Sequence, residues 1–328
     1  MQEILAKDSD MKPLCSISLD LDNQWSYMKI HGDNNWKNYP SYLNTFDPYI
    51  LNILKELNLK ITFFVVGKDA AINENSDVLK MISNSHEIGN HSFNHESWLH
   101  LYSKDEIKGE ISKAEEAIEK ITGEMTNGFR GPGFSWNNDL IEILTQKGYL
   151  YDASILPTFI GPLARLYYFK STNLSEEEKL YRKELFGKFK DGFRKLKPFY
   201  WELNSGKKIL EIPVSTIPFF KTPFHLSYLI YLNNISPLLR SVYFETAIKL
   251  CKLTGSEPSF LLHPLDLIGG DQIKELAFFP GMNIKSDNKI QLFFEIVKEL
   301  KNNFHLVNMS AHAKQVIKRK NIKSRILH

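Results

Sequence analysis

The stretch Glu87-Ile88-Gly89-Asn90-His91-Ser92-Phe93-Asn94-His95 runs from a predicted strand into two histidines that lie four residues apart. If the backbone is helical there, both imidazoles project from one face and lie close enough to share one ion. Gly89 and Asn90 are typical of a tight exit from a strand, which places the pair on the rim of a sheet. Because an HxxxH spacing often arises by chance, it predicts a metal site only in company with other residues.

The composition is that of an ordinary globular protein. A chain of 328 residues with 43% hydrophobic and 24% charged residues can bury a large core. The formal net charge of +3 is too small to indicate a nucleic-acid partner. The only cysteines, Cys15 and Cys251, exclude a disulfide framework and a cysteine-rich zinc site, and are typical of buried thiols in a reducing compartment.

The first residues predict where the protein works. Residues 1–10 lack a basic region followed by an apolar core, so we expect no secretory signal. No run of 18 apolar residues occurs, so nothing in the sequence is expected to span a membrane. These features together predict a cytoplasmic enzyme.

A second polar group lies at the end of the first predicted strand. Residues 15–22 alternate at period two, with serines and aspartates on one face. Asp20 and Asp22 therefore lie side by side and repel each other unless a positive group is near. Trp25 follows closely, and an aromatic residue at this position favours a cleft wall that contacts substrate.

Strands and helices alternate at short intervals, which predicts parallel strands covered by helices. We predict strands over 15–22, 61–67, 87–90, 149–154, 209–214, 259–263 and 305–308 with a short one from 128, and helices over 48–57, 77–84, 103–121, 137–147, 238–253, 291–301 and the basic tail 314–325. The predicted fold is a single α/β domain over residues 1–328, with a β/α barrel of about seven or eight strands. Its candidate reactive residues all follow predicted strands, where such barrels carry their sites: Asp20, Asp22, His91, Arg130, Asp152 and His263.

One region interrupts this pattern. Residues 156–205 are rich in aromatic and basic side chains and are predicted to be a partly helical insertion. Residues 217–234 form a second apolar and aromatic stretch. Two interpretations stand: the two segments form a surface that lies on the inner leaflet of a membrane, or they pack on each other as a lid.

Four sequence motifs, which occur along the chain in the same order as in the family, give this chain a resemblance to the polysaccharide deacetylases of carbohydrate esterase family 4. The resemblance covers roughly residues 14–155 and 205–310. The motifs read Ser18-Leu19-Asp20-Leu21-Asp22, His91-Ser92-Phe93-Asn94-His95, Arg130-Gly131-Pro132-Gly133 and Leu261-Leu262-His263. Two departures stand out: Leu21 separates aspartates that are often adjacent in the family, and Gly133, followed by Phe134, holds the place of an aromatic residue.

The resemblance implies a distorted (β/α) barrel and a set of metal ligands. Asp22, His91 and His95 would bind a divalent ion, for which zinc is well suited, although nickel, cobalt and manganese accept the same ligands. Asp20 would be the base that takes a proton from water. Arg130 would pair with that carboxylate and fix its orientation.

The resemblance also implies an acid and a substrate-binding turn. His263 would protonate the departing amine, although a lone histidine after an apolar strand is more often a core residue. Either Asp152 or Asp266 would orient or charge His263. Gly133 and Phe134 lie where the family binds the oxyanion, so we expect them to contact substrate.

The activity implied is removal of an acetyl group from an N-acetylated or O-acetylated sugar. Since no export signal is expected, a glycan precursor in the cytoplasm fits better than finished peptidoglycan, with a possible contact to the inner membrane. Two other functions remain open at this point: hydrolysis of a small amide or imide by the same fold, and glycan binding by a catalytically inactive relative.

Overall fold

The computed structural model describes residues 12–163, 165–166 and 187–327. Within these residues ten strands form one sheet in the order β10-β6-β7-β5-β4-β3-β2-β1-β8, and β9 pairs with β1. The strands are β1 (Leu14–Leu21), β2 (Thr62–Val65), β3 (Glu87–Asn90), β4 (Gly128–Phe129), β5 (Tyr151–Asp152), β6 (Phe199–Glu202), β7 (Lys208–Glu211), β8 (Ser259–Leu262), β9 (His305–Val307) and β10 (Ser324–Ile326). The recorded pairs are parallel except β6 with β7, which confirms the predicted α/β class.

Helices cover the sheet. They are Gln24–His31, Leu43–Glu56, Gly67–Ala70, Ser76–Ser83, Lys104–Thr122, Asn138–Lys147, Leu226–Ile235, Pro237–Thr254, Ser286–Asn303 and Met309–Ile317. The strand β1 is buried along almost its whole length, as a central parallel strand with both faces covered must be. Of the described helices, none is long and apolar enough to cross a membrane.

The strand count exceeds the predicted seven or eight by two short strands. β6 lies inside the region predicted as an insertion, so residues 199–202 belong to the sheet, where they pair antiparallel with β7. β10 lies in the tail predicted as a solvated helix, which instead ends as an exposed edge strand beside β6. The alternating burial of β6 was not recognised because the neighbouring residues are also aromatic. β10 has no buried side chain that would indicate a strand.

Several boundaries also differ. The second helix begins at Leu43 rather than at residue 48, with Pro48 inside it. The apolar stretch 217–234 contains most of the helix Leu226–Ile235, which the sequence did not reveal. Of the predicted insertion, residues 164 and 167–186 lie outside the described residues, as do residues 1–11. The insertion as a whole and the single domain over 1–328 therefore remain predictions.

Candidate metal centre and active site

Three buried side chains converge beyond the carboxyl ends of β1 and β3. Asp22, His91 and His95 offer ligand atoms that all lie within 4.8 Å of one another. The Nε2 atoms of His95 and His91 lie 2.8 Å and 3.5 Å from Asp22 Oδ1. The structure thus brings together the three residues expected to bind metal.

The backbone that carries the histidine pair is a loop, not a helix. Ser92 and His95 have positive φ angles of 60° and 52°. Glu110, on the helix Lys104–Thr122, fixes this loop, because its carboxylate accepts the backbone N–H groups of Phe93 and Asn94 at 3.1 Å and 2.8 Å. The expectation that the histidine pair lies on a helix is therefore wrong. The left-handed backbone of Ser92 and His95 brings the two imidazoles together instead.

The donor set fits a cation. His91 Nδ1 lies 2.7 Å from the carbonyl oxygen of Arg130, which leaves the Nε2 lone pair directed toward Asp22. Asp22 Oδ1 has no hydrogen-bond partner among the described residues, although His95 Nε2 is only 2.8 Å away. Two electron-rich atoms at this distance without hydrogen-bond geometry are typical of ligands that share an ion.

Asp20 forms an ion pair with a buried arginine. Arg130 is fully buried, and its Nη1 donates to Asp20 Oδ1 and Ser18 Oγ, both at 2.8 Å. Its Nε donates to the carbonyl of Ala153 at 3.0 Å. The guanidinium therefore has a fixed orientation, and it holds Asp20 at the carboxyl end of β1, two residues before Asp22.

His263 follows β8 and is paired with Asp266. The His263 backbone N–H donates to Asp266 Oδ2 at 2.9 Å, and its Nδ1 lies 3.6 Å from the same oxygen. Burial alone lowers the pKa of His263, but Asp266 outweighs burial and raises the pKa to about 9. Of the two aspartates expected to support His263, the structure places Asp266 against it.

Asp152 has different neighbours. Ser154 Oγ donates to Asp152 Oδ1 at 2.6 Å, and the Ser154 hydroxyl also accepts the N–H of Gly131 at 2.8 Å. Asp152 pairs across the sheet with Glu211. Burial and then Asp152 raise the pKa of Glu211 well above its usual range. Through Ser154, Asp152 thus supports the turn after Arg130 rather than His263.

The turn after Arg130 is built on glycine. A Cβ on Gly131 would lie 1.9 Å from the carbonyl oxygen of Ser135, so no other residue fits. Gly133 and Phe134 both have positive φ angles, of 57° and 61°. The N–H of Phe134 donates to the carbonyl of Gly131 at 3.0 Å, so it serves the turn itself.

Trp25 lies beside the metal-binding group but offers little surface. Its side chain is only 5% exposed, and its Nε1 donates to Asp69 Oδ1 at 2.8 Å. Its ring centroid is 6.4 Å from that of His95 and 5.6 Å from that of Trp36. In this structure Trp25 packs behind His95 rather than forming an open wall.

Sequence reasoning missed His225. This histidine precedes the helix Leu226–Ile235, is 7% exposed, and has its ring centroid 6.1 Å from that of His263. Burial, together with the neighbouring His263, lowers the pKa of His225 to about 3, so it is neutral. It lies in an apolar stretch with no recognisable spacing, and no local signal marks it. Glu110 and Glu211 were also missed, because each acts through neighbours that are distant in sequence.

Comparison with known proteins agrees with this geometry. Residues 33–151 match the model of the polysaccharide deacetylase family, a range that includes His91, His95 and Arg130. A peptidoglycan deacetylase of Helicobacter pylori is 31% identical over 116 residues, which cover 35% of this chain and 39% of the relative. A peptidoglycan-N-acetylglucosamine deacetylase of Bacillus cereus is 38% identical over 88 residues, which cover 26% of this chain and 31% of the relative.

The matched regions thus span well under half of these relatives' own length. A solved structure from Mycobacterium smegmatis, described within the polysaccharide deacetylases, covers 98% of this chain and 95% of its own, with a TM-score of 0.60 and 18% identity. At that identity the likeness concerns the fold alone. The family match and the relatives confirm the resemblance to polysaccharide deacetylases that the four motifs predict.

Proposed function

We propose that this protein is a metal-dependent hydrolase that removes an acetyl group from an N-acetylated sugar in a glycan or glycan precursor. The observation that carries the proposal is the convergence of Asp22, His91 and His95 on one point, next to an aspartate held by Arg130. The names of the matched relatives, which are peptidoglycan deacetylases, support the choice of an acetylated sugar.

Asp22, His91 and His95 would hold the divalent ion, which we propose is zinc because two imidazoles and one carboxylate are ligands that zinc accepts well. When bound, such an ion polarises a carbonyl and makes a water molecule more acidic. The hydrogen bond between His91 Nδ1 and the Arg130 carbonyl fixes the ring that faces the ion.

Asp20 would accept the proton of the attacking water. Its partner Arg130 holds one carboxylate oxygen at 2.8 Å and is fully buried, so the carboxylate keeps one orientation during the reaction. Hydrolysis of the amide consumes one water and yields acetate and the free amine.

His263 would donate the proton that the departing amine needs. It must be protonated before that step, and the carboxylate of Asp266 favours the charged imidazolium. The side chain of His263 is 25% exposed, so a substrate can reach it. The proposed acid and base thus follow two neighbouring parallel strands, β8 and β1.

We further propose that the substrate is a cytoplasmic glycan precursor and that the protein contacts the inner membrane at its periphery. The two free, buried cysteines are compatible with a reducing compartment. Nucleic acid is not a proposed partner, since the net charge is only +3.

The test is acetate release by metal-loaded protein. Zinc-loaded protein is incubated with N-acetylglucosamine oligomers, and acetate is measured alongside bound zinc. We expect acetate release that stops after chelation and returns with zinc. Cleavage of small amides or imides without acetate release from sugars would favour the amidohydrolase alternative. Substoichiometric zinc with sugar binding and no turnover would favour an inactive glycan-binding relative.

A further inference from the structure

Four phenylalanines stand out on the surface near the site. Phe189, Phe193, Phe219 and Phe220 are 59%, 76%, 70% and 63% exposed. Aromatic side chains of this size are seldom left so open in groups, and a contiguous exposed apolar patch marks a contact with a partner or a membrane. We call these four residues the phenylalanine patch.

The two halves of the patch are joined by defined contacts. The ring of Phe159 lies 4.9 Å from Phe189 and 5.1 Å from Phe193, centroid to centroid. Lys221, next to Phe220, donates from Nζ to the backbone carbonyl of Arg194 at 2.7 Å. The segments 187–197 and 217–222 therefore form one surface rather than two unrelated loops.

The backbone of the loop that carries Phe219 and Phe220 is strained on both sides of Phe220. Phe219 has a φ angle of +71° and Lys221 one of +57°, a region that costs a residue with a side chain of order 1–3 kcal/mol. The fold gains little apolar burial from Phe219 in return, since that residue is 70% exposed. A strained loop that displays apolar rings is explained when those rings become buried in something outside the chain.

The charge around the patch identifies that partner. Residues 187–199 contain five basic residues and one acidic residue, Asp191, which is already paired with Arg194 at 2.7 Å. Exposed phenylalanines flanked by lysines are the combination that binds an anionic lipid surface, because the rings enter the acyl boundary while the cations meet the headgroups. We propose that the phenylalanine patch docks this protein on an anionic membrane surface.

The patch also adjoins the candidate active site. The guanidinium of Arg194 stacks on Trp136, with 4.3 Å from Cζ to the ring centroid. A small cavity there is lined by Phe134, Trp136 and Arg194 together. Docking would thus bring the turn after Arg130 toward the bilayer, where an acetylated sugar on a lipid carrier would be presented.

The test is flotation of the metal-loaded full chain with phosphatidylcholine vesicles, with and without phosphatidylglycerol. We expect binding to the anionic vesicles that weakens as salt rises. The double variant Phe219→Ser/Phe220→Ser should weaken binding on the order of tenfold or more. The variant Lys195→Gln/Lys197→Gln should weaken it by roughly fivefold per charge removed.

The matched control is Met125→Ser. Met125 is 69% exposed but precedes β4, at the amino ends of the parallel strands, whereas residues 217–222 of the patch follow the carboxyl end of β7, so its loss should leave binding unchanged. Circular dichroism melts show that each variant is folded. Absence of flotation with anionic vesicles at low salt would overturn the proposal, as would equal binding by the phenylalanine variant and the control. The docking proposal rests on the peripheral membrane contact proposed above and specifies its surface; because flotation requires no turnover, its failure would remove that contact and leave the proposed deacetylase activity to be judged by acetate release.

Discussion

Asp20 and Asp22 are two residues apart, yet the structure gives them different surroundings. Asp20 faces the guanidinium of Arg130 at 2.8 Å, whereas Asp22 faces two imidazoles. Leu21 between them points into the core, so both carboxylates emerge on the site side of β1. With a spacing of two, both carboxylates therefore reach the site, and one has an arginine and the other two imidazoles as neighbours.

The proposed roles of Asp20 as the base and of Asp22 and His91 as metal ligands predict that turnover can be lost without loss of zinc binding. Asp20→Asn should retain stoichiometric zinc but lose on the order of 10²–10⁴-fold in turnover, because an amide cannot accept the water proton. His91→Ala should lose both zinc and turnover. Elemental analysis and acetate release on the same preparations measure the two properties. Full zinc content in His91→Ala would contradict the ligand assignment.

The partner of His263 predicts a shift in pH dependence. Asp266 raises the pKa of His263 against the effect of burial, so Asp266→Asn should lower that pKa. Because the acid acts when protonated, the alkaline fall of kcat should move to lower pH, by on the order of one pH unit or more. The Asn oxygen can still accept the His263 N–H, which preserves the loop.

Asp152→Asn is the matched comparison for this pH profile. Asp152 contacts Ser154 and pairs with Glu211 across the sheet. The alkaline fall of kcat in Asp152→Asn should therefore occur at the same pH as in wild type. A shift caused by Asp152→Asn and not by Asp266→Asn would instead make Asp152 the residue that charges His263.

At the scale of elements, a buried lysine holds the loop that carries His263 and Asp266. Lys289 is 1% exposed, and its Nζ donates to the carbonyls of Leu265 and Ile268, both at 2.7 Å. Burial lowers the pKa of Lys289 to about 8, while Asp266 and Asp271 oppose that change. The ammonium thus links the helix Ser286–Asn303 to the turn after β8.

Removing this ammonium should loosen the turn. Lys289→Met leaves two buried carbonyls without a donor, and we expect the free energy of unfolding to fall by roughly 2–4 kcal/mol. Urea denaturation measures the change. Lys298→Met, at an exposed position of the same helix, should stay within about 0.5 kcal/mol of wild type. Equal stability of the two variants would show that the carbonyls find other partners.

Elements with strong local signals were predictable from sequence. The helix Lys104–Thr122, predicted over 103–121, begins with a capping box of Ser103 and Glu106 and ends at Gly123, which adopts the left-handed conformation. β6 was missed because its alternation lies within an aromatic and basic segment, and β10 because all three of its side chains are exposed. The conformation of the loop that carries the histidine pair could not be predicted either, because it depends on Glu110, which is distant in sequence.

The same contrast holds for the site. The residues of the four motifs were predictable because they lie at strand ends, and parallel strands bring those ends to one edge. His225 and Glu211 were not, because each reaches the site through tertiary packing without a motif of its own. The choice between Asp152 and Asp266 likewise depended on which turn folds back on His263.

At the scale of the whole molecule, one carboxylate joins distant parts of the chain. Glu257 precedes β8, and its oxygens accept from the N–H of Leu14 at 3.2 Å and from both Nη atoms of Arg319 at 2.7 Å and 2.9 Å. His312 Nε2 lies 3.5 Å away. Burial raises the pKa of Glu257, but His312 and Arg319 outweigh it and lower the pKa to about 2.

The contacts of Glu257 predict how the stability of the protein changes at acidic pH. A carboxylate with a depressed folded pKa stabilises the protein above its unfolded pKa, near 4.3, and that contribution disappears as the pH falls toward 2. Glu257→Gln should therefore melt below wild type at neutral pH, and the two Tm values should converge between about pH 4.5 and pH 2. Glu245→Gln, which breaks only an exposed pair with Lys249, should follow wild type throughout. A Tm gap for Glu257→Gln that is independent of pH would mean that the carboxylate contributes through shape and hydrogen bonding, not through its charge.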